Sequence, residues 1–179
     1  DLLAGLVLRE VGLEQMQAVA GGETAGIPFA AWLADRLQLP MLYVRKKPKG
    51  FGRNGRIEGA LCASSQVLLV EDLATDGGSK LAFAAALREA GARVSDATVL
   101  FYYNVFPEAL ARLAAHGLRL HWLATWQDVL AEARRSGYFD AQTRREIERF
   151  LADPLAWSRA HGGIDTLPEP LFGPGGAGA

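Results

Sequence analysis

Short runs of apolar residues alternate along this chain with segments in which apolar residues recur every three or four positions. The runs have the length of buried strands, and the periodic segments have the spacing of helices that pack by one face. Predicted strands cover residues 17–20, 40–44, 66–71, 93–103 and 118–123, and predicted helices cover residues 2–11, 27–37, 79–89 and 107–115. Elements that alternate in this way predict an α/β fold, a central mostly parallel sheet with helices on both faces.

The remaining segments depart from this alternation. Residues 56–62 have the pattern of a strand in a hairpin-like flap, and residues 125–161 have a helical pattern with Asp140 as an expected N-cap. Residues 162–179 are rich in glycine and proline, which predicts a flexible tail. A length of 179 residues suggests one domain, and we place it at residues 1–161.

Composition excludes several classes of protein. The net charge is −1, so there is no global electrostatic case for binding nucleic acid. The single cysteine, Cys62, cannot form a disulfide framework and suits the reducing cytoplasm. The three histidines, at positions 116, 121 and 161, lack the spacing of metal ligands. No apolar run approaches the ~20 residues that span a bilayer, so we expect a cytoplasmic protein without membrane contact.

The segment 67–79 carries the most specific chemistry. A buried apolar run ends in Glu71 and Asp72, and a turn rich in hydroxyl groups and glycine then leads into a helix. The amides of such a turn can hold a phosphate, and Thr75 and Ser79 can add hydroxyl donors. The two carboxylates would repel that phosphate, so they suit sugar hydroxyls or a magnesium ion. An ordinary strand-to-helix turn with an acidic start remains the alternative.

This segment resembles the motif with which type I phosphoribosyltransferases bind 5-phosphoribosyl 1-pyrophosphate (PRPP). The motif consists of a hydrophobic strand, two acids, a threonine, a glycine pair and a serine or threonine before a helix. It has neither the Gly-Lys-Ser/Thr ending of a Walker A loop nor a G-x-G-x-x-G pattern. The PRPP-binding residues that the resemblance implies here are Glu71, Asp72, Leu73, Ala74, Thr75, Asp76, Gly77, Gly78 and Ser79.

A basic segment, residues 43–59, indicates which kind of phosphoribosyltransferase the chain resembles. It places six basic side chains among several glycines, as a mobile loop that neutralises a pyrophosphate leaving group would require. It is similar to the catalytic loop of orotate phosphoribosyltransferases, and by position Arg45, Lys46 and Lys49 would contact PRPP. Phe51 stands where that family has histidine, so a histidine role is not expected. A solvated basic loop that touches nucleic acid is the alternative.

A third segment, residues 18–30, again predicts a strand, a glycine turn and a helix. It lies where phosphoribosyltransferases keep their pyrophosphate-binding loop, which would here consist of Gly22, Glu23, Thr24 and Ala25. Taken alone, this pattern is most often a plain strand-to-helix connection. Together the three segments are stronger evidence for one binding site than any of them alone. Each lies at or beyond the carboxyl end of a strand, where the ligands of α/β sheets bind, so the three can converge.

The resemblance implies a type I phosphoribosyltransferase fold with a mobile flap loop. It also implies an enzyme that makes orotidine 5′-monophosphate and pyrophosphate from orotate and PRPP, using Mg²⁺. Lys46, Lys49 and Asp72 would be catalytic, and Thr75 would also contact orotate. Mg²⁺ would bind through PRPP, with Glu71 and Asp72 as possible ligands. A homodimer would share the basic loop across its interface.

Three further expectations bear on this assignment. The N-terminal hood of the family, which carries part of the orotate site, does not precede Asp1, so we expect either a fragment of a longer protein or a member without this hood. A phosphoribosyltransferase for a purine or another base is one alternative. A non-catalytic regulator that binds PRPP or a nucleotide is the other, and the basic loop favours an enzyme.

Overall fold

The computed structural model describes residues 1–48 and 55–166 of the chain. In these residues a six-stranded sheet has the order β3-β2-β1-β4-β5-β6. The strands are β1 Ala18–Gly22, β2 Met41–Val44, β3 Ile57–Glu58, β4 Val67–Ala74, β5 Asp96–Tyr102 and β6 Arg119–Thr125. Neighbouring strands are parallel except for β3, which runs antiparallel to β2 at the edge of the sheet.

Helices connect and cover the strands. They are α1 Leu2–Glu10, α2 Gly26–Leu37, α3 Gly78–Glu89, α4 Ala109–Ala115, α5 Trp126–Ser136, α6 Ala141–Ala152 and α7 Pro154–Ala160, with a short 3₁₀ turn at Leu13–Gln15. None of the helices among the described residues is long and apolar enough to cross a membrane.

Two apolar cores lie on opposite faces of the sheet, and β4 supplies both. Leu69 packs into the core that contains Phe83 of α3, whereas Leu68 and Val70 pack into the core that contains Val7 of α1. Side chains of consecutive strand residues point to opposite faces, so a strand covered on both sides is apolar at every position. The predicted α/β layering, with helices on both faces of a mostly parallel sheet, is confirmed.

Several predicted boundaries were wrong. The motif strand was expected to end at residue 71, but β4 continues to Ala74 because β5 still pairs with it there. The expected strand 56–62 reduces to the two residues of β3, which pair only with Tyr43 and Val44. The expectation for residues 125–161 is confirmed: the region is helical, with three helices, and Asp140 caps α6 by accepting a hydrogen bond from the Thr143 amide at 2.7 Å.

Candidate functional site

Two loops and two helix ends meet beyond the carboxyl ends of β1 and β4. The strand β1 leads into α2 and β4 leads into α3, so both helices direct their amino-terminal ends to this edge. From β1 the chain adds β2 on one side of the sheet, and it later adds β4 on the other side of β1. The order in which strands are added therefore reverses between β1 and β4. Open α/β sheets bind ligands at such a point, and the amino-terminal end of a helix attracts anions. We therefore take this crevice as the candidate site.

The two acids of the motif lie where β4 extends past its neighbour. The strand β1 pairs with β4 only as far as Gly21 and Val70. Glu71 and Asp72 follow directly on the part of β4 that β1 no longer covers. They therefore stand at the mouth of the crevice, next to both helix ends.

Glu71 and Asp72 have different surroundings, because consecutive strand residues point to opposite faces. Glu71 is buried and contacts Ser79 and Lys80 on the α3 side of the sheet. Asp72 is half-buried, and its carboxylate makes no hydrogen bond or ion pair with any residue that the structure describes. Asp72 is therefore the acid of the pair that is open to a ligand on both oxygens.

Glu71 belongs to a polar cluster at the start of α3, in which Glu71 and Lys80 are buried. The Nζ of Lys80 lies 2.5 Å from its Oε2, and the two side chains are 5% and 8% exposed. The Ser79 hydroxyl donates a hydrogen bond to the same Oε2 at 3.1 Å. Lys80 Nζ also donates to Ser79 Oγ at 3.1 Å and to the Leu73 carbonyl. In the structure, the Ser79 hydroxyl that we predicted to hold a phosphate thus bonds to Glu71.

The glycine turn before α3 has the form of an anion site. Gly77 caps the helix with a backbone φ of +83°, which residues other than glycine rarely adopt. The backbone amides of Ser79 and Lys80 have no acceptor among the described residues. Free amides at the start of a helix are the groups that bind phosphate in proteins.

An ion pair tethers this turn to α4. Arg112 Nη2 lies 2.8 Å from Asp76 Oδ2 and also donates to the Asp76 carbonyl. The Gly78 amide donates to Asp76 Oδ1 at 3.3 Å, and the Thr75 hydroxyl does so at 3.4 Å. Burial by itself would raise the pKa of Asp76, but the hydrogen bonds from Arg112 and Gly78 outweigh it and hold this pKa below its usual value. The carboxyl is therefore ionised and neutralised by Arg112.

The predicted pyrophosphate loop closes the other side of the crevice. A Cβ added to Gly22 would lie 2.4 Å from Glu71 Oε1, so only glycine leaves space for that carboxylate. The peptide between Glu23 and Thr24 is cis, and the Glu23 carboxylate accepts a hydrogen bond from the Lys46 amide at 2.7 Å. The amides of Thr24 and Ala25 have no acceptor among the described residues. This loop can therefore offer main-chain donors to a second anion.

The basic segment begins beside this loop. Arg45 does not present a free guanidinium, because its Nε lies 2.8 Å from Glu58 Oε1 and its Nη2 donates to the Tyr43 hydroxyl at 3.2 Å. Lys46 is exposed. The predicted contact Lys49 and the departure Phe51 lie outside the described residues, as does the centre of the predicted flap.

The described residues do not form a complete metal site. Among residues 1–48 and 55–166 there is no group of three or more histidine, cysteine, aspartate or glutamate side chains that could hold a metal ion. Mg²⁺ commonly binds through one or two carboxylates together with substrate phosphates. Asp72 fits such a site, whereas Oε2 of Glu71 is already occupied by Lys80 and Ser79.

Comparison with known proteins identifies the family. No family model matches the chain. Orotate phosphoribosyltransferase from Cereibacter sphaeroides is 60% identical over 160 residues, which cover 89% of this chain and 69% of the relative. The chain belongs to the orotate phosphoribosyltransferase family. The enzyme of the same name from Sinorhizobium fredii is 54% identical over 167 residues, or 93% of this chain and 72% of that one.

Solved structures agree with this membership. The crystal structure of orotate phosphoribosyltransferase from Aeropyrum pernix matches with a TM-score of 0.63 and 33% identity, covering 78% of this chain and 76% of that chain. Adenine phosphoribosyltransferase from Rhodothermus marinus has the same fold, with a TM-score of 0.57 and 24% identity over 69% of this chain and 77% of that chain. The resemblance and the type I phosphoribosyltransferase fold expected from the sequence are thus confirmed.

Two residues at this candidate site were not predicted from the sequence. Lys80 directly follows the motif, and its place in the first turn of a helix, where cations are unfavourable, was a usable signal. Arg112 is 36 residues from Asp76, and no local pattern connects them. His121 lies away from the crevice: its ring hydrogen-bonds to Asp96 at 2.8 Å, and Asp96 begins β5, at the amino-terminal ends of the parallel strands.

Proposed function

We propose that the crevice between β1 and β4 binds PRPP and that the chain transfers its 5-phosphoribosyl group to orotate. The products are orotidine 5′-monophosphate and pyrophosphate, and the reaction belongs to pyrimidine biosynthesis. The observation that carries the proposal is the pair of helix amino-terminal ends on either side of Glu71 and Asp72, each with amides that have no acceptor among the described residues. A sugar with a phosphate at one end and a pyrophosphate at the other matches that arrangement.

The turn at residues 75–79 receives the 5′-phosphate. Its amides and the start of α3 supply donors and positive potential. Arg112 supports this role, because it cancels the charge of Asp76, which would otherwise repel the phosphate. Ser79 contributes its amide, and its hydroxyl would have to leave Glu71 to join the phosphate. Thr75, at the entrance of the turn, is the residue that we assign to orotate as well.

The pyrophosphate occupies the loop at residues 22–25 and is covered by the basic segment. Thr24 and Ala25 offer free amides, and Lys46 lies next to Glu23 through its own amide. Lys46 and Lys49 would neutralise the charge that develops as pyrophosphate departs. Arg45 would first exchange Glu58 for the ligand, because its guanidinium is paired with that carboxylate.

The chemistry is a substitution at the anomeric carbon. The bond from C1 to the pyrophosphate oxygen breaks and its electrons leave with pyrophosphate, while N1 of orotate bonds to C1 and gives up its proton to the departing pyrophosphate or to water. The ribose becomes positively charged in between, and the carboxylates of Asp72 and Glu71 stabilise it and hold the ribose hydroxyls. The protein acts by positioning and charge compensation, without a covalent intermediate.

Mg²⁺ is proposed as the cofactor, and it would supply counter-charge for the pyrophosphate. Asp72 is the described carboxylate that could reach it, because it has no partner among the described residues. A homodimer that shares the basic loop is also proposed, since β3 places this segment at the edge of the sheet. The exposed free thiol of Cys62 is compatible with the proposed cytoplasmic location.

The test is an assay with PRPP, Mg²⁺ and each of orotate, uracil, adenine and hypoxanthine. We expect a nucleoside monophosphate from orotate alone, measured by chromatography of the product. A product from adenine or hypoxanthine in place of orotate would reassign the base. PRPP binding without turnover of any base would favour a regulator over an enzyme.

A further inference from the structure

Lys80 has a surrounding that neither the motif nor the proposed reaction explains. Lysine is rarely buried, yet its side chain is only 5% exposed. It also lies in the first turn of α3, where the positive end of the helix disfavours a cation. Burial and the helix dipole both oppose this lysine, so its three partners must compensate.

Those partners use the whole ammonium group. An ammonium has three donors, and Nζ contacts Glu71 Oε2, Ser79 Oγ and the Leu73 carbonyl. A buried ion pair is often no more stabilising than a well-packed apolar pair of the same size. Stability alone is therefore a weak explanation for this cluster.

The two carboxylate oxygens of Glu71 have different contacts in this cluster. Both Lys80 and the Ser79 hydroxyl contact Oε2. Oε1 makes no hydrogen bond with any described residue, and it lies toward Gly22, where an added Cβ would come within 2.4 Å of it. Since Gly22 ends β1 and begins the loop at residues 22–25, Oε1 lies next to the crevice, while Oε2 is tied to α3.

We infer that Lys80 is a positioning residue for PRPP: by holding Oε2 of Glu71, it directs Oε1 to a hydroxyl of the ribose. This inference rests on the proposed function, because it assumes that the crevice holds a phosphorylated ribose. Lys80 itself touches no substrate in this arrangement. Its effect on the ligand passes entirely through Glu71.

A ratio of affinities separates this role from a merely structural one. Ribose 5-phosphate, its 2-deoxy analogue and its 3-deoxy analogue carry the same charge and differ only in one hydroxyl. Their affinities are measured by displacement of PRPP. We expect the wild-type chain to prefer ribose 5-phosphate over at least one analogue by about tenfold or more, ~1.4 kcal/mol. In Lys80→Met that preference should fall below about threefold, whereas Arg134→Met, which removes the cation of an exposed ion pair, should keep it.

A merely structural lysine would give a different result. It would weaken all three ligands by the same factor in Lys80→Met and leave the preference intact, which would overturn the inference. A wild-type chain that binds ribose 5-phosphate without preferring it over either analogue would also overturn it. A wild-type chain that binds neither PRPP nor ribose 5-phosphate would instead overturn the proposed function.

A second comparison covers the case in which Lys80→Met does not fold. The double variant Glu71→Gln/Lys80→Met removes both charges, so no buried ion remains unpaired. If Lys80 acts through Glu71, this variant and Glu71→Gln alone should show the same reduced preference and the same PRPP affinity within about twofold. A further loss of PRPP affinity in the double variant would mean that Lys80 contacts the ligand itself. If the double variant keeps the wild-type preference for ribose 5-phosphate over its deoxy analogues, Glu71 does not contact the hydroxyl and the inference is wrong.

Discussion

Arg112 of α4 and Asp76 of the glycine turn form an ion pair of 2.8 Å across 36 residues of sequence. The amides of this turn suit a phosphate, yet the carboxylate of Asp76 within the turn would repel one. The ion pair with Arg112 neutralises that carboxylate. Because Arg112 cancels that charge and also donates to the Asp76 carbonyl, it fixes both the potential and the path of the turn.

The first prediction concerns this ion pair. Arg112→Met should raise the Michaelis constant for PRPP by about tenfold, ~1.4 kcal/mol, because the carboxylate of Asp76 would then face the 5′-phosphate unneutralised. Steady-state kinetics at saturating orotate measure it. The double variant Arg112→Met/Asp76→Asn should recover part of the loss. Wild-type kinetics in the single variant would separate this ion pair from substrate binding.

The second prediction concerns Asp72. Asp72→Asn keeps the shape and removes the charge, so kcat/KM should fall by more than about tenfold, ~1.4 kcal/mol of transition-state stabilisation. The melting temperature should stay unchanged, because Asp72 has no hydrogen-bonding or ionic partner among the described residues. Asp35→Asn, on the exposed side of α2, is the matched control. Near-normal turnover of Asp72→Asn would remove the ribose assignment of Asp72.

The third prediction concerns stability in acid, away from the crevice. Asp96 is buried, which by itself would raise its pKa, but hydrogen bonds from His121, Arg119 and Ser95 lower the pKa from 3.8 to about 2. A lowered carboxyl pKa stabilises the fold above the unfolded-state value, and this stabilisation is lost as the pH falls toward the folded-state value. It amounts to about 2 kcal/mol above pH 5 and about half of that at pH 3.

Urea denaturation at pH 6 and pH 3 tests this point. Asp96→Asn should lower the free energy of unfolding at pH 6 and reduce its change between the two pH values by about 1 kcal/mol. The control Asp35→Asn should keep the wild-type pH dependence. An Asp96→Asn variant with that same dependence would mean that Asp96 has no lowered pKa in the folded protein.

The fourth prediction concerns the proposed homodimer. If the basic loop acts on the partner's site, Lys49→Ala and Asp72→Asn should each be strongly impaired alone, while a mixture of the two should regain activity. Each hybrid dimer would then contain one site with both residues intact. Light scattering and mass spectrometry of the mixture verify that hybrids form. Hybrids that remain inactive would place the loop within its own chain or outside the reaction.

The sequence determined which segments of this protein meet, and the tertiary structure decided how their side chains pair. Alternating strands and helices are encoded in local periodicity, and parallel strands bring their carboxyl ends together, so the loops at residues 22–25 and 75–79 could be predicted as neighbours. The motif also identified the family, because it is defined by the spacing of residues close together in sequence. The end of β4 at Ala74 could not be predicted from local sequence, since it depends on how far β5 pairs with β4.

The ion pairs of the site depend on packing and not on spacing. Whether Glu71 meets Lys80 is set by the rotation of α3 on the sheet, and whether Asp76 meets Arg112 is set by the position of α4 beside the turn. Arg45 was predicted as a contact to PRPP and is paired with Glu58 because β3 returns alongside β2. A sequence fixes which charges exist, but their partners depend on distances of a few ångströms between elements, and only the folded chain sets those distances.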